Sequence, residues 1–236
     1  MNADISENLE EGHPVWPEGQ EILQIDPAIA MTRFEDLLPF HDGLIDYLIA
    51  REGEKRAEAA KQTGAAGGTK IYHIDTWQVP GAHLLDERAQ ALYRQTVGQT
   101  TSAVDLSWGN IYRAGDYILP HAHRRSEGSV VYMLSIGDRD EEDPLSGRFG
   151  FADPRLPMCC QDTAEIMTTP HFPQLRPGSM IIFPSTVVHF ATPYRGETRP
   201  RITLSWNLNK TPLASRPADD EERGIAAHPA AYPDNA

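Results

Sequence analysis

Apolar residues recur at spacings of three and four along two stretches in the first hundred residues. The first stretch covers residues 35–62, and its periodicity predicts an amphipathic helix that ends at the glycine- and alanine-rich run 63–68. The second stretch covers about residues 84–97, where leucine and alanine side chains share one helical face. The sequence therefore predicts two supporting helices in the N-terminal part of the chain.

Short β-rich runs replace this pattern between residues 103 and 209. Apolar and polar residues alternate in Ser107–Tyr112 and in Arg201–Trp206, as expected for strands with one buried face. The predicted strands, which are separated by turn residues, are 104–112, 128–136, 147–151, 163–168, 179–183, 187–193 and 200–208. Helices followed by many antiparallel strands predict an α+β, mainly β chain built on a sandwich or jelly roll.

The pattern divides the 236 residues into three parts of one domain. Residues 1–102 form an N-terminal lead-in with the supporting helices, and residues 103–209 form the jelly-roll core. Residues 210–236 have no apolar period, so we expect them to form an extended C-terminal tail.

Charge and cysteine content narrow the function classes. The formal net charge is -13, and a chain this acidic is expected to repel nucleic acid. The two cysteines, Cys159 and Cys160, are adjacent and give no disulfide framework, which fits a reducing compartment. We see no secretory leader and no apolar run of about 18 residues, so the expectation is a cytoplasmic protein without a membrane partner. A homodimer is the base-rate expectation for its assembly.

Three histidines carry the candidate chemistry. His121 and His123 stand at positions i and i+2 of a strand, so their imidazoles point the same way and could share one metal ion. His189 lies in an apolar strand, where a buried imidazole needs a partner. A lone His-x-His pair is weak evidence for a metal site, and a single histidine in a strand usually packs. Arg201 follows at the head of the last strand, and this order of residues favours a site.

Seven sequence blocks follow one another in the β-rich part of the chain: Trp108–Tyr112, Gly115–His123, Ser129–Leu134, Gly147–Arg155, Arg176–Ser185, His189–Gly196 and Arg201–Asn207. Together these blocks resemble the Fe(II)- and 2-oxoglutarate-dependent oxygenases of the prolyl-hydroxylase-like group, in particular a branch of largely uncharacterised bacterial and phage members. The resemblance covers roughly residues 104–209 and implies a double-stranded β-helix (jelly-roll) core with helices against one sheet.

The resemblance implies Fe(II) as the metal, with His121, His123 and His189 as its ligands. His123 departs from the wider superfamily, where a carboxylate usually occupies this position. Three neutral imidazoles leave Zn, Ni and Cu as other candidate ions. Two carboxylates, Asp116 and Asp153, are predicted to lie behind the ligands and orient them.

The same resemblance implies a pocket for the cosubstrate 2-oxoglutarate. Arg201 is predicted to bind its distal carboxylate, because a guanidinium offers a two-pronged set of donors. Tyr132 and Thr203 are predicted to add hydroxyl groups to that carboxylate site. Tyr112 and Asn110 alternate onto one face and are predicted to line the pocket, although plain core packing remains open for both tyrosines.

The implied activity is hydroxylation of a small-molecule or peptidyl substrate, with succinate and CO2 as co-products. One alternative is a three-histidine cupin-type dioxygenase or isomerase that does not use 2-oxoglutarate. Another is a non-catalytic jelly roll that binds a metal or ligand. The segment 155–176 is either a lid over the substrate or an ordinary surface loop.

Overall fold

A computed structural model describes residues 12–26, 29–59, 68–123, 125–139, 142–152, 160–163 and 167–213. Its helices are α1 (His41–Ala59), preceded by a 3-10 helix over Glu35–Phe40, and α2 (Ala82–Val97), preceded by a 3-10 helix over Ile74–Thr76. Its strands are β1 (Leu23–Asp26), β2 (Ile29–Arg33), β3 (Thr69–Tyr72), β4 (Ala103–Tyr112), β5 (Ile118–His121), β6 (Gly128–Ile136), β7 (Phe149–Phe151), β8 (Cys160–Thr163), β9 (Met167–Pro170), β10 (Ser179–Pro184), β11 (His189–Ala191) and β12 (Arg201–Asn209).

Two antiparallel sheets form the core. The larger sheet has seven strands in the order β1-β2-β10-β6-β12-β4-β3, and the smaller has the order β5-β11-β7. A separate hairpin joins β8 to β9. The sheets pack face to face through an apolar cluster to which Val131 and Phe183 contribute from the larger sheet and Phe149 and Phe151 from the smaller. The predicted mainly β jelly roll is therefore confirmed.

The two faces of the larger sheet differ in chemistry, and β12 shows why. Ile202, Leu204 and Trp206 point into the cluster beneath the helices α1 and α2, and each is fully buried. The intervening residues, among them Arg201 and Thr203, are also buried but lie on the opposite face, toward the smaller sheet. The apolar positions attach the sheet to its helices, at roughly 1.5–3 kcal/mol for each large side chain. The polar positions are left for the interior of the sandwich.

The strand predictions agree best for the longest strands. The run 128–136 coincides with Gly128–Ile136, and 104–112, 179–183 and 200–208 lie within one residue of β4, β10 and β12 at each end. The runs 147–151 and 187–193 contain the shorter strands β7 and β11. The single strand predicted over 163–168 is wrong, because Cys160–Thr163 and Met167–Pro170 are two strands paired with each other. The strands β1, β2 and β3 were not predicted, and the strand expected to hold both His121 and His123 ends at His121, the last residue of β5.

Both predicted helices are present. The first begins as a 3-10 helix that contains Pro39, which supplies no backbone N–H, and becomes α-helical at His41. The second begins two residues earlier than predicted, after Gly81, whose positive φ ends the preceding turn.

No helix in the described part of the chain has the length and apolar character needed to cross a membrane. The predicted tail covers residues 210–236, and its part from residue 214 onward lies outside the described residues.

Candidate metal centre and cosubstrate pocket

The three predicted ligands converge at one end of the smaller sheet. His121 is the last residue of β5 and lies directly opposite His189, the first residue of β11. His123 follows two residues after the strand, where its backbone N–H donates to the carbonyl of Ser185 at 2.7 Å. One nitrogen from each imidazole lies within 4.8 Å of the others, close enough for all three to bind one ion.

Backbone carbonyls orient two of these imidazoles. The Nδ1 atom of His121 is 2.8 Å from the carbonyl oxygen of Leu119, and Nδ1 of His189 is 3.0 Å from that of Val187. A carbonyl can only accept, so Nδ1 carries the proton in each ring. The lone pair is then on Nε2, the atom left to bind a metal.

Burial favours the neutral form of His121 and His189, which is the form that a metal requires. Burial, followed by the neighbouring His121 and His123, holds the pKa of His189 well below its usual range. Burial also lowers the pKa of His121. Among the described residues, no carboxylate joins the cluster, so the ligand set carries no charge of its own. A divalent ion would therefore keep its full charge for further ligands.

Asp116, one of the two carboxylates predicted to lie behind the ligands, does not lie there. Asp116 accepts the backbone N–H of Arg113 at 2.7 Å and closes the turn between β4 and β5. Asp153 lies outside the described residues. The carbonyls of Leu119 and Val187 occupy the orienting positions at His121 and His189, a role that side-chain types in the sequence cannot reveal.

A buried cation without a counter-charge lies in the same cleft. Arg201 is only 2% exposed, and its Nε and Nη1 atoms have no hydrogen-bond partner among the described residues. Its Cζ atom stacks 4.6 Å from the centre of the Tyr112 ring. Burial lowers the pKa of Arg201, and the nearby Tyr112 hydroxyl partly opposes that change. Since an unpaired buried charge is costly, this arrangement fits a site that binds an anion.

Three more of the predicted pocket residues surround this guanidinium. Tyr112 is paired in register with Arg201, and its hydroxyl interacts with both Arg201 and Thr203. Asn110 is the next inward-facing residue of β4 and is paired with Thr203. All four side chains are buried in the wall of the cleft. The structure thus brings Arg201, Thr203, Tyr112 and Asn110 together as one polar pocket.

Tyr132 lies on the other side of the sheet. It shares a face of β6 with Val130 and Leu134, and all three belong to the cluster under the helices. Its hydroxyl donates to Nε2 of His41 at 2.7 Å, at the start of α1. The prediction that Tyr132 lies in the cosubstrate pocket is therefore wrong. Side chains alternate between the two faces of a strand, and the position of Tyr132 in β6 puts it on the face that packs against the helices.

Several lining residues were missed by the sequence analysis. The Ser129 hydroxyl is hydrogen-bonded to the Ser185 hydroxyl at 2.8 Å and to the side-chain oxygen of Asn207 at 3.1 Å. These three side chains form a buried polar wall beside the histidines. Parity with Arg201 along β12 would have indicated Asn207. Lys70 also lines the cleft, but it comes from a four-residue strand that gave little signal. The predicted lid 155–176 lies partly outside the described residues.

The backbone of Gly147 lies directly against the side chain of Arg201. It has a φ of +60°, and a Cβ atom there would lie 2.8 Å from Cδ of Arg201 and 2.9 Å from Cδ2 of Tyr194. Its N–H donates to the carbonyl of Pro193. Both the backbone conformation and the close contact exclude a larger residue, so the guanidinium is held against a glycine.

These features define a class: a jelly-roll protein in which, among the described residues, three histidines able to hold one metal ion share a cleft with a buried cation. Residues 106–207 match the sequence model of a family described as "Putative 2OG-Fe(II) oxygenase". The match includes every predicted ligand and the Arg201 pocket, and it confirms the resemblance to the 2OG-Fe(II) oxygenases. The cofactors of that family are Fe(II) and 2-oxoglutarate. No curated protein matches the chain by sequence.

Solved structures show the same fold. AviO1 from Streptomyces viridochromogenes Tue57 is 14% identical, with a TM-score of 0.52 over 81% of this chain and 93% of that chain. The non-heme alpha ketoglutarate dependent epimerase SnoN from nogalamycin biosynthesis is 15% identical, with a TM-score of 0.50 over 81% of this chain and 82% of that chain. A Pseudomonas putida prolyl-4-hydroxylase is 18% identical, with a TM-score of 0.41 over 75% and 95% of the two chains. At these identities the likeness to AviO1 and SnoN establishes the fold alone.

Proposed function

We propose that this oxygenase is an Fe(II)- and 2-oxoglutarate-dependent hydroxylase. The observation that carries the proposal is the guanidinium of Arg201, which has no counter-charge among the described residues, in the same cleft as three converging imidazoles. A dicarboxylate that reaches from the metal to Arg201 would satisfy both features. Neither a structural metal site nor a simple binding fold needs a buried cation without a partner.

The residues present fit both cofactors. Fe(II) would be held by His121, His123 and His189 on one side, which leaves the opposite positions free for other ligands. The distal carboxylate of 2-oxoglutarate would accept hydrogen bonds from Arg201, with the hydroxyl groups of Tyr112 and Thr203 beside it. When bound, this pair of cofactors activates O2 and couples loss of CO2 and formation of succinate to oxidation of the substrate.

The protein orients the metal ligands and excludes water from one side of the metal centre. Phe149 and Phe183 pack within 6 Å of the His189 ring, centre to centre, and keep solvent from that side of the metal centre. The carbonyls of Leu119 and Val187 hold the imidazoles at fixed angles. These contacts set the geometry before a substrate enters, which reduces the reorganisation that the reaction requires.

The same metal centre and cosubstrate could also support reactions other than hydroxylation. Removal of a hydrogen atom can end in hydroxylation or in inversion, and SnoN is described as an epimerase. We favour hydroxylation because it is the chemistry that the resemblance implies. The uncharged three-histidine set also suits a cupin-type dioxygenase, but that reaction has no use for the buried Arg201 pocket.

The test is anaerobic calorimetry of 2-oxoglutarate binding to Fe(II)-loaded protein, followed by mass spectrometry of succinate after addition of O2. We expect binding, slow formation of succinate without a primary substrate, and at least about a 100-fold loss of affinity in Arg201→Met, since two charge-assisted hydrogen bonds contribute about 3 kcal/mol or more. Absence of 2-oxoglutarate binding to metal-loaded protein would refute the proposal. Equal affinity in Arg201→Met would refute the assigned pocket.

A further inference from the structure

The three buried tryptophans of the described chain differ in how their indole N–H groups are used. Trp77 donates to the backbone carbonyl of Tyr72 at 3.0 Å, and Trp206 donates to the carboxylate of Asp86 at 2.8 Å. The Nε1 atom of Trp108 is also buried, but it has no hydrogen-bond partner among the described residues. Because a buried N–H without an acceptor costs free energy, the exception points to an acceptor that the protein itself does not supply.

Trp108 lines the cleft close to the candidate metal centre. The centre of its ring lies 5.9 Å from that of His123, one of the three predicted ligands. The position proposed for the distal carboxylate of 2-oxoglutarate lies beside Tyr112, four residues further along β4. Four residues of a strand extend over roughly 13 Å. The indole therefore lies on the metal side of the cleft, away from the distal carboxylate.

Asn110 lies between these two positions on the same face of β4. Its side chain lines the cleft as Trp108 does, since residues two apart on a strand point to the same side. The amide nitrogen of Asn110 is 3.4 Å from the hydroxyl of Ser205, whereas its side-chain oxygen is buried and has no partner in the described part of the chain. The carboxylates and keto oxygen of 2-oxoglutarate only accept hydrogen bonds, so the cosubstrate cannot satisfy this oxygen. A donor for it has to come from another molecule in the cleft.

An unused donor and an unused acceptor are thus neighbours on one strand. A carboxylate or a phosphate would accept from Trp108 but would offer nothing to Asn110. A hydroxyl group would have to meet both partners with one oxygen atom, although their Cα atoms are roughly 7 Å apart. An amide places its acceptor and its donor on two different atoms, because the carbonyl oxygen accepts and the N–H donates. The pair of side chains therefore matches an amide.

We propose that Trp108 and Asn110 bind an amide group of the primary substrate beside the metal centre. The indole N–H donates to the amide oxygen, and the side-chain oxygen of Asn110 accepts from the amide nitrogen. The inference rests on the proposed function, because it assigns 2-oxoglutarate to the metal and Arg201. The two residues then determine specificity: a ketone or an ester in place of the amide keeps the bond to Trp108 but leaves Asn110 unsatisfied, and it should bind less well.

The test compares benzamide with acetophenone, in which a methyl group replaces the amide NH2. Both probes are titrated by calorimetry into protein saturated with Fe(II) and 2-oxoglutarate in the absence of O2, and absorption of the Fe(II)–2-oxoglutarate complex reports whether a probe lies near the metal. We expect wild type to bind benzamide about three- to tenfold more tightly than acetophenone, which corresponds to one neutral hydrogen bond. N-methylbenzamide is the third probe. If it binds as tightly as benzamide, the site accepts a peptide-like secondary amide, and if it binds as weakly as acetophenone, the site is restricted to primary amides.

Two variants separate the contributions of the two partners. Trp108→Phe should weaken benzamide and acetophenone alike, by about three- to tenfold, because both probes carry the carbonyl oxygen. Asn110→Leu, tested at saturating 2-oxoglutarate, should weaken benzamide alone and so abolish its preference over acetophenone. The control is Trp16→Phe, at a half-buried tryptophan that packs against Phe34 outside the cleft, and it should bind every probe as wild type does.

The outcomes distinguish this inference from the proposed function. If wild type binds 2-oxoglutarate but does not prefer benzamide, or if the preference survives in Asn110→Leu, the inference is overturned while the proposed function stands. Unchanged affinity for both probes in Trp108→Phe also overturns it, as does an equal loss of affinity for 2-oxoglutarate, which would assign the indole to the cosubstrate. If Trp108→Phe does not fold, the wild-type preference and Asn110→Leu still decide. If wild type does not bind 2-oxoglutarate at all, the proposed function fails and this inference fails with it.

Discussion

Two buried arginines in this molecule have opposite surroundings. Arg88 on α2 is fully buried and donates to both carboxylate oxygens of Asp36 and to the carbonyl of Pro14. Arg201 is buried to a similar degree but has no carboxylate partner among the described residues, and two of its nitrogens lack a hydrogen-bond partner, against one in Arg88. The first arrangement is that of a structural ion pair, and it also holds the pKa of Asp36 below its usual range. The second is that of a binding site.

The contrast gives a stability prediction. Arg88→Met should lower the free energy of unfolding of the metal-free protein by about 2–3 kcal/mol, because Asp36 loses its partner. Arg201→Met should leave that free energy unchanged or raise it, because it removes an unsatisfied charge. Urea unfolding of the two variants and wild type measures both effects. A loss in Arg201→Met as large as that in Arg88→Met would mean that Arg201 serves the fold.

At the residue scale, the sequence was most informative where a side chain has a specific chemical use. His121, His123, His189 and Arg201 were predicted from their order and resemblance, and the structure places all four in one cleft. Tyr132 was misplaced because a tyrosine suits both a polar pocket and a core. Lys70 was missed because a single lysine in a short strand reads as an ordinary surface residue.

Among the elements, β6 and α1 are joined by a buried hydrogen bond. Nε2 of His41 lies 2.7 Å from the Tyr132 hydroxyl, from which it accepts a hydrogen bond when the imidazole is neutral. Burial lowers the pKa of His41 to about 4, against the ordinary value of 6.5 expected in the unfolded chain. The unfolded state therefore takes up a proton first as the solution is acidified. Stability from this residue is present at neutral pH and is lost as the pH falls from about 6.5 toward 4.

We accordingly expect the titration of His41 to lower the free energy of unfolding by about 2–3 kcal/mol as the pH falls from 7 to 4. In His41→Gln the side chain no longer titrates, so the difference in stability between wild type and variant should shrink by that amount over the same range. Urea unfolding at several pH values provides the comparison. The exposed His83→Gln variant is the matched control. A constant difference between wild type and His41→Gln would contradict the assignment.

The elements also show which part of the fold a single sequence reveals. Strands β4, β6, β10 and β12 are long, and each has at least one apolar face, so alternation located them to within a residue at each end. The missed strands β1, β2 and β3 have four or five residues each. Such short segments complete less than three periods of alternation. Their strand state comes from pairing with a distant partner, as β2 pairs with β10.

At the scale of the whole molecule, a bound metal would connect segments that the polypeptide joins only through long connections. His121 and His189 belong to neighbouring strands of the smaller sheet, and His123 belongs to the loop held by Ser185. An ion that binds the folded state alone stabilises it by about 4 kcal/mol at a concentration 1,000 times its dissociation constant.

That figure predicts a rise in melting temperature of roughly 8–16 °C for a chain of this size when the metal is added in such excess. His121→Ala and His189→Ala should each lose most of the rise, and the exposed His83→Ala should keep it. Differential scanning calorimetry with Fe(II) under argon, and with Zn(II) as a redox-inert comparison, measures the effect. An unchanged rise in His189→Ala would place the metal elsewhere.

The direct pairing of His121 with His189 has a consequence for how the centre is assembled. Between these two residues the chain passes through β6, β7 and β10, and β6 and β10 pair with each other in the larger sheet. The histidines can meet only after this long loop has closed, so the metal cannot nucleate folding as it does in a zinc finger. We therefore expect the apoprotein to fold first and to acquire its ion afterwards. Because three neutral imidazoles discriminate little among divalent ions, we expect the supply of ions in the cell at that moment to decide which ion fills the centre.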